Sequence, residues 1–177
     1  MTEHTSHTNH THKEHKAHAP QRVGCVVITC SDTRTPDTDT SGRLMMHLLK
    51  EQGHEIAAYH LVKDEPTQIR AMVEKAARTD GVQAILINGG TGISRRDSTF
   101  EAVDALLEKR LDGFGELFRY LTYLEIGSAA IMSRATAGIF RDRIIFSTPG
   151  SEGAVRLAME KLVLPELGHI VRELTKG

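Results

Sequence analysis

The sequence predicts an α/β fold: a single domain with a doubly wound, mostly parallel sheet and helices on both faces. Short aliphatic segments of strand type recur along the chain, polar or glycine-rich turns follow them, and segments with helical periodicity follow the turns. This repetition is typical of a parallel sheet that is covered by helices on both sides. The chain has 177 residues, which suits one domain with a sizeable core.

Composition argues against several functional classes. The formal net charge is −1 and 40% of the residues are hydrophobic, which does not favour a nucleic-acid or membrane surface. No apolar run approaches the roughly 20 residues of a membrane span. The polar N-terminus does not resemble a signal peptide. Cys25 and Cys30 lie on opposite sides of one predicted strand and cannot form a disulfide, so we expect a reduced, cytoplasmic protein.

The N-terminal segment differs from the rest of the chain. Residues 1–20 hold six of the ten histidines and show no apolar periodicity. We therefore predict a disordered tail there and a folded domain over residues 21–177. A histidine run can bind metal ions, but a solvated arm that binds metal only adventitiously is the favoured interpretation.

The first predicted strand is Val23–Cys30. After a long polar loop, Asp39 or Thr40 caps a helix with an apolar stripe. Ile56–Val62 predicts a second strand, mixed in pattern and nearer a sheet edge, and Pro66 suits the first turn of the helix that follows.

The third predicted strand, Ala84–Ile87, is short and wholly aliphatic, as strands in the middle of a parallel sheet are. Ser98 and Glu101 have the spacing of a capping box, so a helix begins there. Asp112-Gly113 is expected to end that helix before another begins.

The last third of the chain is less regular. Residues 128–136 are small and predict a short helix. Ile139-Phe140 and Ile144–Phe146 flank a turn and predict a hairpin. Pro165 either begins a final helix or ends the preceding one.

The stretch that follows the third strand, residues 89–97, has the chemistry of a phosphate site. Its glycines allow backbone N–H groups to approach an anion closely, and Thr91 and Ser94 can donate from their hydroxyls. Two arginines add positive charge. Asp97 would repel a phosphate unless it holds Mg²⁺, directly or through water. The alternative is a tight strand-to-helix turn with Asp97 near the helix N-terminus.

Other polar residues fall at the same predicted edge of the sheet. Asp32, Asp64 and the turn Pro149–Ser151 each follow a strand, and ligands of open α/β sheets bind beyond the carboxyl ends of the strands. For Asp64, an ordinary helix-start acid is equally supported. Together these residues predict a nucleotide or phosphoester site with a divalent ion. A Walker A loop, a dinucleotide fingerprint and the G-x-S-x-G elbow of hydrolases are absent from the sequence.

Six motifs, in order, resemble the MoaB/MogA family of molybdenum cofactor biosynthesis proteins. The resemblance runs from about Val23 to the C-terminal helix, and the region 113–138 is more similar to MoaB than to MogA. The motifs are Ser31-Asp32…Asp39-Thr-Ser-Gly42, Leu61-Val-Lys-Asp64, Gly89-Gly-Thr-Gly92…Arg96-Asp97, Gly113-Phe-Gly-Glu-Leu-Phe-Arg119, Ser133-Arg134 and Pro149-Gly150.

The resemblance implies a molybdopterin adenylyltransferase, which joins AMP from ATP to the terminal phosphate of molybdopterin and needs Mg²⁺. It also implies a homo-oligomer, trimeric or hexameric. Asp64 and Asp97 match the two acids that are important for activity in the family, and they would hold the metal. The positions implied for substrate and nucleotide binding are Ser31, Asp32, Gly89, Gly90, Thr91, Gly92, Ser94, Arg96, Ser133, Arg134, Pro149, Gly150 and Ser151.

Three alternatives stay open from the sequence. The chain could be a non-catalytic carrier or scaffold that binds molybdopterin, although the presence of both acids favours an enzyme. Molybdate insertion is a second alternative, and a nucleotide-binding domain with another acceptor is a third. An apolar stripe on the predicted helix over residues 114–124 would suit either subunit contact or packing within the chain.

Overall fold

A computed structural model describes residue 20 and residues 22–176 of the chain. Most of the predicted tail therefore lies outside the described residues. In chain order the elements are β1 (Gly24–Cys30), α1 (Thr40–Glu51), β2 (Glu55–Val62), α2 (Pro66–Ala77), β3 (Ala84–Asn88), α3 (Thr99–Asp104), β4 (Lys109–Arg110), α4 (Asp112–Ile126), a 3₁₀ segment (Gly127–Met132), β5 (Thr136–Phe140), β6 (Arg143–Thr148), α5 (Glu152–Ala158), a π segment (Met159–Val163) and α6 (Leu164–Leu174).

The six strands form one sheet in the order β2-β1-β3-β6-β5-β4. Strands β2, β1, β3 and β6 run parallel, β5 is antiparallel to β6, and β4 is antiparallel to β5. From β1 the chain moves outward to β2 and then returns to the other side of β1 to form β3. The strand order thus reverses between β1 and β3, and such a switch point opens a crevice at the carboxyl ends of the strands.

Hydrophobic clusters cover both faces of the sheet, as the predicted doubly wound fold requires. Successive residues of β1 alternate between them: Cys25 and Val27 pack with α1, α4 and α6, whereas Val26 and Ile28 pack with α2 and α3. All four are buried. Each fully buried aliphatic side chain contributes about 1.5–3 kcal/mol to folding. Among the described residues, no helix has the length and apolar character needed to cross a membrane.

The segment after α3 differs from its prediction. The helix ends at Asp104, and a two-residue strand, β4, pairs Lys109 with Ile139 of β5. Asp112 begins α4 instead of ending the preceding helix, and an acid in the first turn is favourable there. A strand of two residues is too short to show a hydrophobic period in the sequence. Its position is therefore decided by its pairing with β5.

The predicted helix over residues 128–136 is also partly wrong. A 3₁₀ segment occupies Gly127–Met132, and β5 already begins at Thr136, where it pairs with Ser147 of β6. Small residues allow a helix, but they equally allow the close pairing that the sheet provides. Farther on, Pro165 stands in the first turn of α6, so it begins the final helix.

His54 connects the start of β2 to the start of β1 and makes stability depend on pH. Its Nδ1 accepts a hydrogen bond from the Val23 N–H at 3.2 Å, and burial lowers the pKa of His54 below the ordinary 6.5. The folded state therefore binds fewer protons than the unfolded state as the pH falls. The stabilisation is present above pH 6.5 and is lost as the pH falls through the lower, folded pKa.

We expect the variant His54→Asn to depend less on pH than the wild type. The asparagine Oδ1 can accept the same N–H bond but does not titrate. Urea unfolding between about pH 7.5 and 5.5 would show a smaller loss of unfolding free energy in the variant. Equal losses in both proteins would contradict the role of this histidine.

Candidate functional site

The loops after β1, β2, β3 and β6 meet at the carboxyl edge of the sheet, and Gly89 lies at their centre. Its N–H donates to the Thr148 carbonyl at 3.1 Å, and its φ is +104°. A Cβ at this position would overlap the Cys30 carbonyl oxygen. Only glycine combines this φ with so close an approach to the end of β1.

Asp64 is buried beneath the start of α3. Its Oδ1 accepts hydrogen bonds from the Ser98 N–H at 3.1 Å, the Ser98 hydroxyl at 2.8 Å and the Thr99 hydroxyl at 3.2 Å. The predicted capping box is therefore wrong, because Ser98 does not cap α3 with its side chain. The Ser98 hydroxyl donates to Asp64 instead, because a buried carboxylate is costly unless it accepts hydrogen bonds.

The glycine turn, residues 89–92, lies against both Asp64 and the second acid, Asp97. A Cβ on Gly90, whose φ is +55°, would overlap Asp64 Oδ2, and a Cβ on Gly92 would lie 2.6 Å from Asp97 Oδ2. The same Asp97 oxygen accepts a hydrogen bond from the Ser94 N–H at 3.0 Å. Both acids singled out in the sequence thus contact the glycine turn.

Two carboxylates from different loops face the glycine turn, an arrangement that suits Mg²⁺ better than it suits a metal held entirely by protein ligands. Among the described residues, no group of three or more His, Cys, Asp or Glu side chains could hold a metal ion. Mg²⁺ is usually bound by one or two carboxylates, with water and substrate phosphates completing its shell. Asp64 and Asp97 would be the two carboxylates of such a set, if the proposed site binds Mg²⁺.

Arg96 connects three loops. Its guanidinium donates to Asp32 Oδ2 from Nε at 3.1 Å and from Nη2 at 2.6 Å, and to Glu65 Oε1 at 3.1 Å. The hydrogen bond from Arg96 lowers the pKa of Asp32. Asp32 in turn accepts from the Asp64 N–H at 3.2 Å. The arginine expected at a phosphate is held by carboxylates here, so a bound phosphate would have to compete with them.

Arg134 supports the glycine turn from the other side. It donates to the Thr91 carbonyl at 2.9 Å and makes a two-pronged contact with Glu101 at 2.6 and 3.0 Å. Its guanidinium also lies 4.7 Å from the centre of the Phe100 ring. Hydrogen bonding from Arg134 lowers the pKa of Glu101. Ser133, which immediately precedes Arg134 in the chain, is half-buried.

The turn Pro149–Ser151 packs directly on the glycine turn. A Cβ on Gly150 would lie 2.9 Å from the Gly89 Cα. The Ser151 hydroxyl accepts a hydrogen bond from the Ala154 N–H at 3.2 Å and caps α5. On the loop after β1, the Ser31 hydroxyl accepts from the Thr33 and Arg34 N–H groups at 3.3 and 3.1 Å.

Sequence reasoning missed a buried network next to these turns. Asp39, predicted only as a helix cap, does accept from the Gly42 N–H at 3.0 Å, but it also accepts from Arg34 at 3.2 Å and from the Tyr59 hydroxyl at 2.6 Å. Burial by itself would raise the pKa of Asp39, but hydrogen bonds from Thr29, Tyr59 and the Gly42 N–H, with the charge of Arg34, hold it below its usual value. The acid in the motif Asp39-Thr-Ser-Gly42 was the sequence signal that could have indicated this network. Nothing in the sequence around Tyr59 indicated that its hydroxyl takes part.

Two polar concavities lie among these loops, one that includes Arg96 and one that includes Phe100, and residues 89–92 line neither of them. The one on the β2 side has a volume of about 500 Å³, and the one on the β4–β5 side has a volume of about 320 Å³. The first is lined by Asp32, Lys63, Glu65, Thr67, Gln68 and Arg96. The second is lined by Phe100, Asp104, Arg110, Leu111, Asp112, Gly115, Glu116, Arg119, Ala135 and Thr136.

Comparison with known proteins gives a consistent result. Residues 26–169 match the family model described as a probable molybdopterin binding domain. Molybdenum cofactor biosynthesis protein B of Bacillus subtilis (strain 168) is 57% identical over 159 residues, which cover 89% of this chain and 94% of that protein. The corresponding protein of Staphylococcus aureus (strain MRSA252) is 52% identical over 87% of this chain and 93% of its own length.

Solved structures agree with the sequence relatives. A crystal structure of molybdenum cofactor biosynthesis protein B has a TM-score of 0.87 at 54% identity and covers 90% of this chain and 99% of its own. The tungsten cofactor synthesizing protein MoaB from Pyrococcus furiosus has a TM-score of 0.80 at 35% identity, with coverages of 88% and 99%. A MogA structure reaches 0.77 at 25% identity, covering 85% and 99%. The predicted closer similarity to MoaB is confirmed.

Proposed function

Because the chain belongs to the MoaB/MogA family of molybdenum cofactor biosynthesis proteins, we propose that it transfers AMP from ATP to the terminal phosphate of molybdopterin. One observation carries this proposal: Gly90 and Gly92 lie directly against the carboxylates of Asp64 and Asp97, so backbone N–H groups and a cation held by these acids would meet the same phosphate groups.

In the proposed reaction, an oxygen of the terminal molybdopterin phosphate forms a bond to the α-phosphorus of ATP. The bond from that phosphorus to the β-phosphate oxygen breaks, and pyrophosphate leaves. A phosphate monoester has a second pKa of about 6 and is largely a dianion near neutral pH, so no strong base is required. The obstacle is repulsion between two anions, which positioning and charge neutralisation overcome.

The residues of the turn are suited to that task. Backbone N–H groups of residues 89–92 and the hydroxyls of Thr91 and Ser94 would bind phosphate oxygens. Asp64 and Asp97 would hold Mg²⁺, which when bound supplies positive charge to the triphosphate. Arg96 would exchange its carboxylate partners for a phosphate, since a guanidinium can donate several hydrogen bonds to either kind of anion.

The test is release of pyrophosphate from ATP in the presence of molybdopterin, with the full chain and with a chain lacking residues 1–20. Release that needs both substrates supports adenylyl transfer. Molybdopterin binding without release would favour the alternative, a carrier or scaffold. Equal rates in both chains would exclude a catalytic role for the histidine-rich segment.

We also propose that the chain assembles into trimers or hexamers in the cytoplasm. The α4 helix carries two apolar faces: Phe114 and Phe118 are buried in the core, but Leu117 and Leu124 are 52% and 62% exposed. Tyr120 and Tyr123 of the same helix are also exposed. Several large apolar side chains exposed on one helix are typical of a contact between proteins. Both cysteines are free and buried, which suits a reducing compartment.

Replacing Leu124 with glutamate is expected to shift the chain toward the monomer, because a charge would be buried at the subunit contact. Light scattering during size-exclusion chromatography measures the mass directly. Ile93→Glu serves as the control, since Ile93 is 73% exposed but follows the glycine turn and is not part of α4. Equal masses for the two variants would contradict assembly through α4.

A further inference from the structure

Arg34 joins the loop after β1 to the loop after β6, and the resemblance assigns it no role. Its Nη1 donates to Asp39 Oδ1 at 3.2 Å, and its Nη2 donates to the Gly150 carbonyl at 2.7 Å. The Ser41 hydroxyl donates to the same carbonyl, also at 2.7 Å. One peptide oxygen of the turn Pro149–Ser151 is therefore held by two side chains from the loop and helix that follow β1.

The anchor of this contact is rigid. Asp39 is fully buried, and the N-terminal turn of α1 and Tyr59 of β2 fix both of its oxygens. A guanidinium holds its donors in a fixed fork, so binding one nitrogen to Asp39 orients the other nitrogen toward Gly150. A lysine has one charged nitrogen and cannot span both acceptors in this way.

Fixing the Gly150 carbonyl has a consequence for its neighbour. The peptide unit is planar and trans, so the Ser151 N–H points away from the Gly150 oxygen. The same turn packs on the Gly89 Cα, where the glycine turn begins. Rotation of the Gly150–Ser151 peptide would therefore change both the direction of an N–H donor and the fit between the two turns.

We propose that Arg34 is a positioning residue for the triphosphate: together with Ser41 it fixes the Gly150–Ser151 peptide so that the Ser151 N–H is presented to ATP. This proposal rests on the proposed function. It predicts an effect on ATP, because Arg34 contacts the Pro149–Ser151 turn, which the resemblance matches to the nucleotide, and Arg34 does not line the concavity on the β4–β5 side.

The experiment compares Arg34→Met with Arg43→Met in the full chain. Arg43 is a matched control, since it holds the same loop through the Pro36 and Asp37 carbonyls at 3.2 and 2.8 Å but does not contact Gly150. We expect Arg34→Met to raise the KM for ATP about tenfold, as loss of a charge-assisted hydrogen bond does. The KM for molybdopterin should stay within about twofold, and Arg43→Met should change neither value.

Arg34→Lys provides a second comparison. The lysine keeps the positive charge but lacks the forked donors of a guanidinium. The KM for ATP should therefore stay at least about threefold above wild type. Complete rescue by lysine would overturn the positioning role, because charge alone would then be sufficient. An equal rise of both KM values in Arg34→Met, or no rise in either, would overturn it as well.

Amide hydrogen exchange in the ligand-free chain tests the coupling without any reaction. The Gly89 N–H, bonded to Thr148, and the Ala154 and Val155 N–H groups, bonded to Ser151, border the Gly150 turn. They should exchange several-fold faster in Arg34→Met than in Arg43→Met. Equal rates would overturn the proposal. If the wild type releases no pyrophosphate, the proposed function fails, and these exchange rates alone decide whether Arg34 positions the turn.

Discussion

Replacement of Asp97 with asparagine is expected to reduce pyrophosphate release at least ~100-fold, because charge neutralisation at the triphosphate depends on the metal that this carboxylate would hold. The amide has nearly the same shape and can still accept the Ser94 N–H bond, which measures 3.0 Å. We therefore expect an unchanged fold and unchanged molybdopterin binding. Initial rates of pyrophosphate release, with circular dichroism and a molybdopterin titration, separate chemistry from folding.

Asp142→Asn is the matched control for this substitution. Asp142 lies in the exposed turn between β5 and β6 with a φ of +59°, a conformation that asparagine tolerates. The Asp142→Asn variant should release pyrophosphate at the wild-type rate. A wild-type rate in Asp97→Asn would refute the metal role, and a rise in the Mg²⁺ concentration needed for half-maximal activity would support it.

The largest effect on stability is expected from Gly90→Ala. The substitution places a Cβ in overlap with Asp64 Oδ2 and the Thr99 hydroxyl, at a φ of +55°. An alanine in that conformation costs about 1–2 kcal/mol. Displacing the buried Asp64 from its donors costs about 1–3 kcal/mol more for each broken bond. We expect the free energy of unfolding in urea to fall by more than about 3 kcal/mol, with transfer activity lost as well.

Gly113→Ala is the control that separates the effect of Gly90→Ala on the site from the general effect of adding a methyl group. Gly113 is in the first turn of α4, and no atom lies within 4 Å of the position of its Cβ. Alanine there should change stability by at most about 1 kcal/mol, in the stabilising direction. If Gly90→Ala were as stable as Gly113→Ala, the packing of the glycine turn on Asp64 would be irrelevant to folding.

The sequence determined the fold class because strand and helix periods are local. Ala84–Ile87 is aliphatic at every position, and a strand buried on both faces needs nothing more to be identified. Glycines at 89 and 90 indicated a turn with positive φ, and both residues adopt one. The placement of Asp64 and Asp97 beside that turn also followed from the sequence, since the carboxyl ends of parallel strands share one edge.

Tertiary structure decided the contacts between distant segments. Lys109 pairs with Ile139, Arg134 binds the Thr91 carbonyl, and Arg34 reaches Gly150 across 116 positions. No periodicity or residue spacing in the sequence predicts any of these pairs. A polar side chain finds its partner only after the sheet order has brought two loops together, because its hydrogen bonds depend on three-dimensional proximity and not on neighbours in the chain.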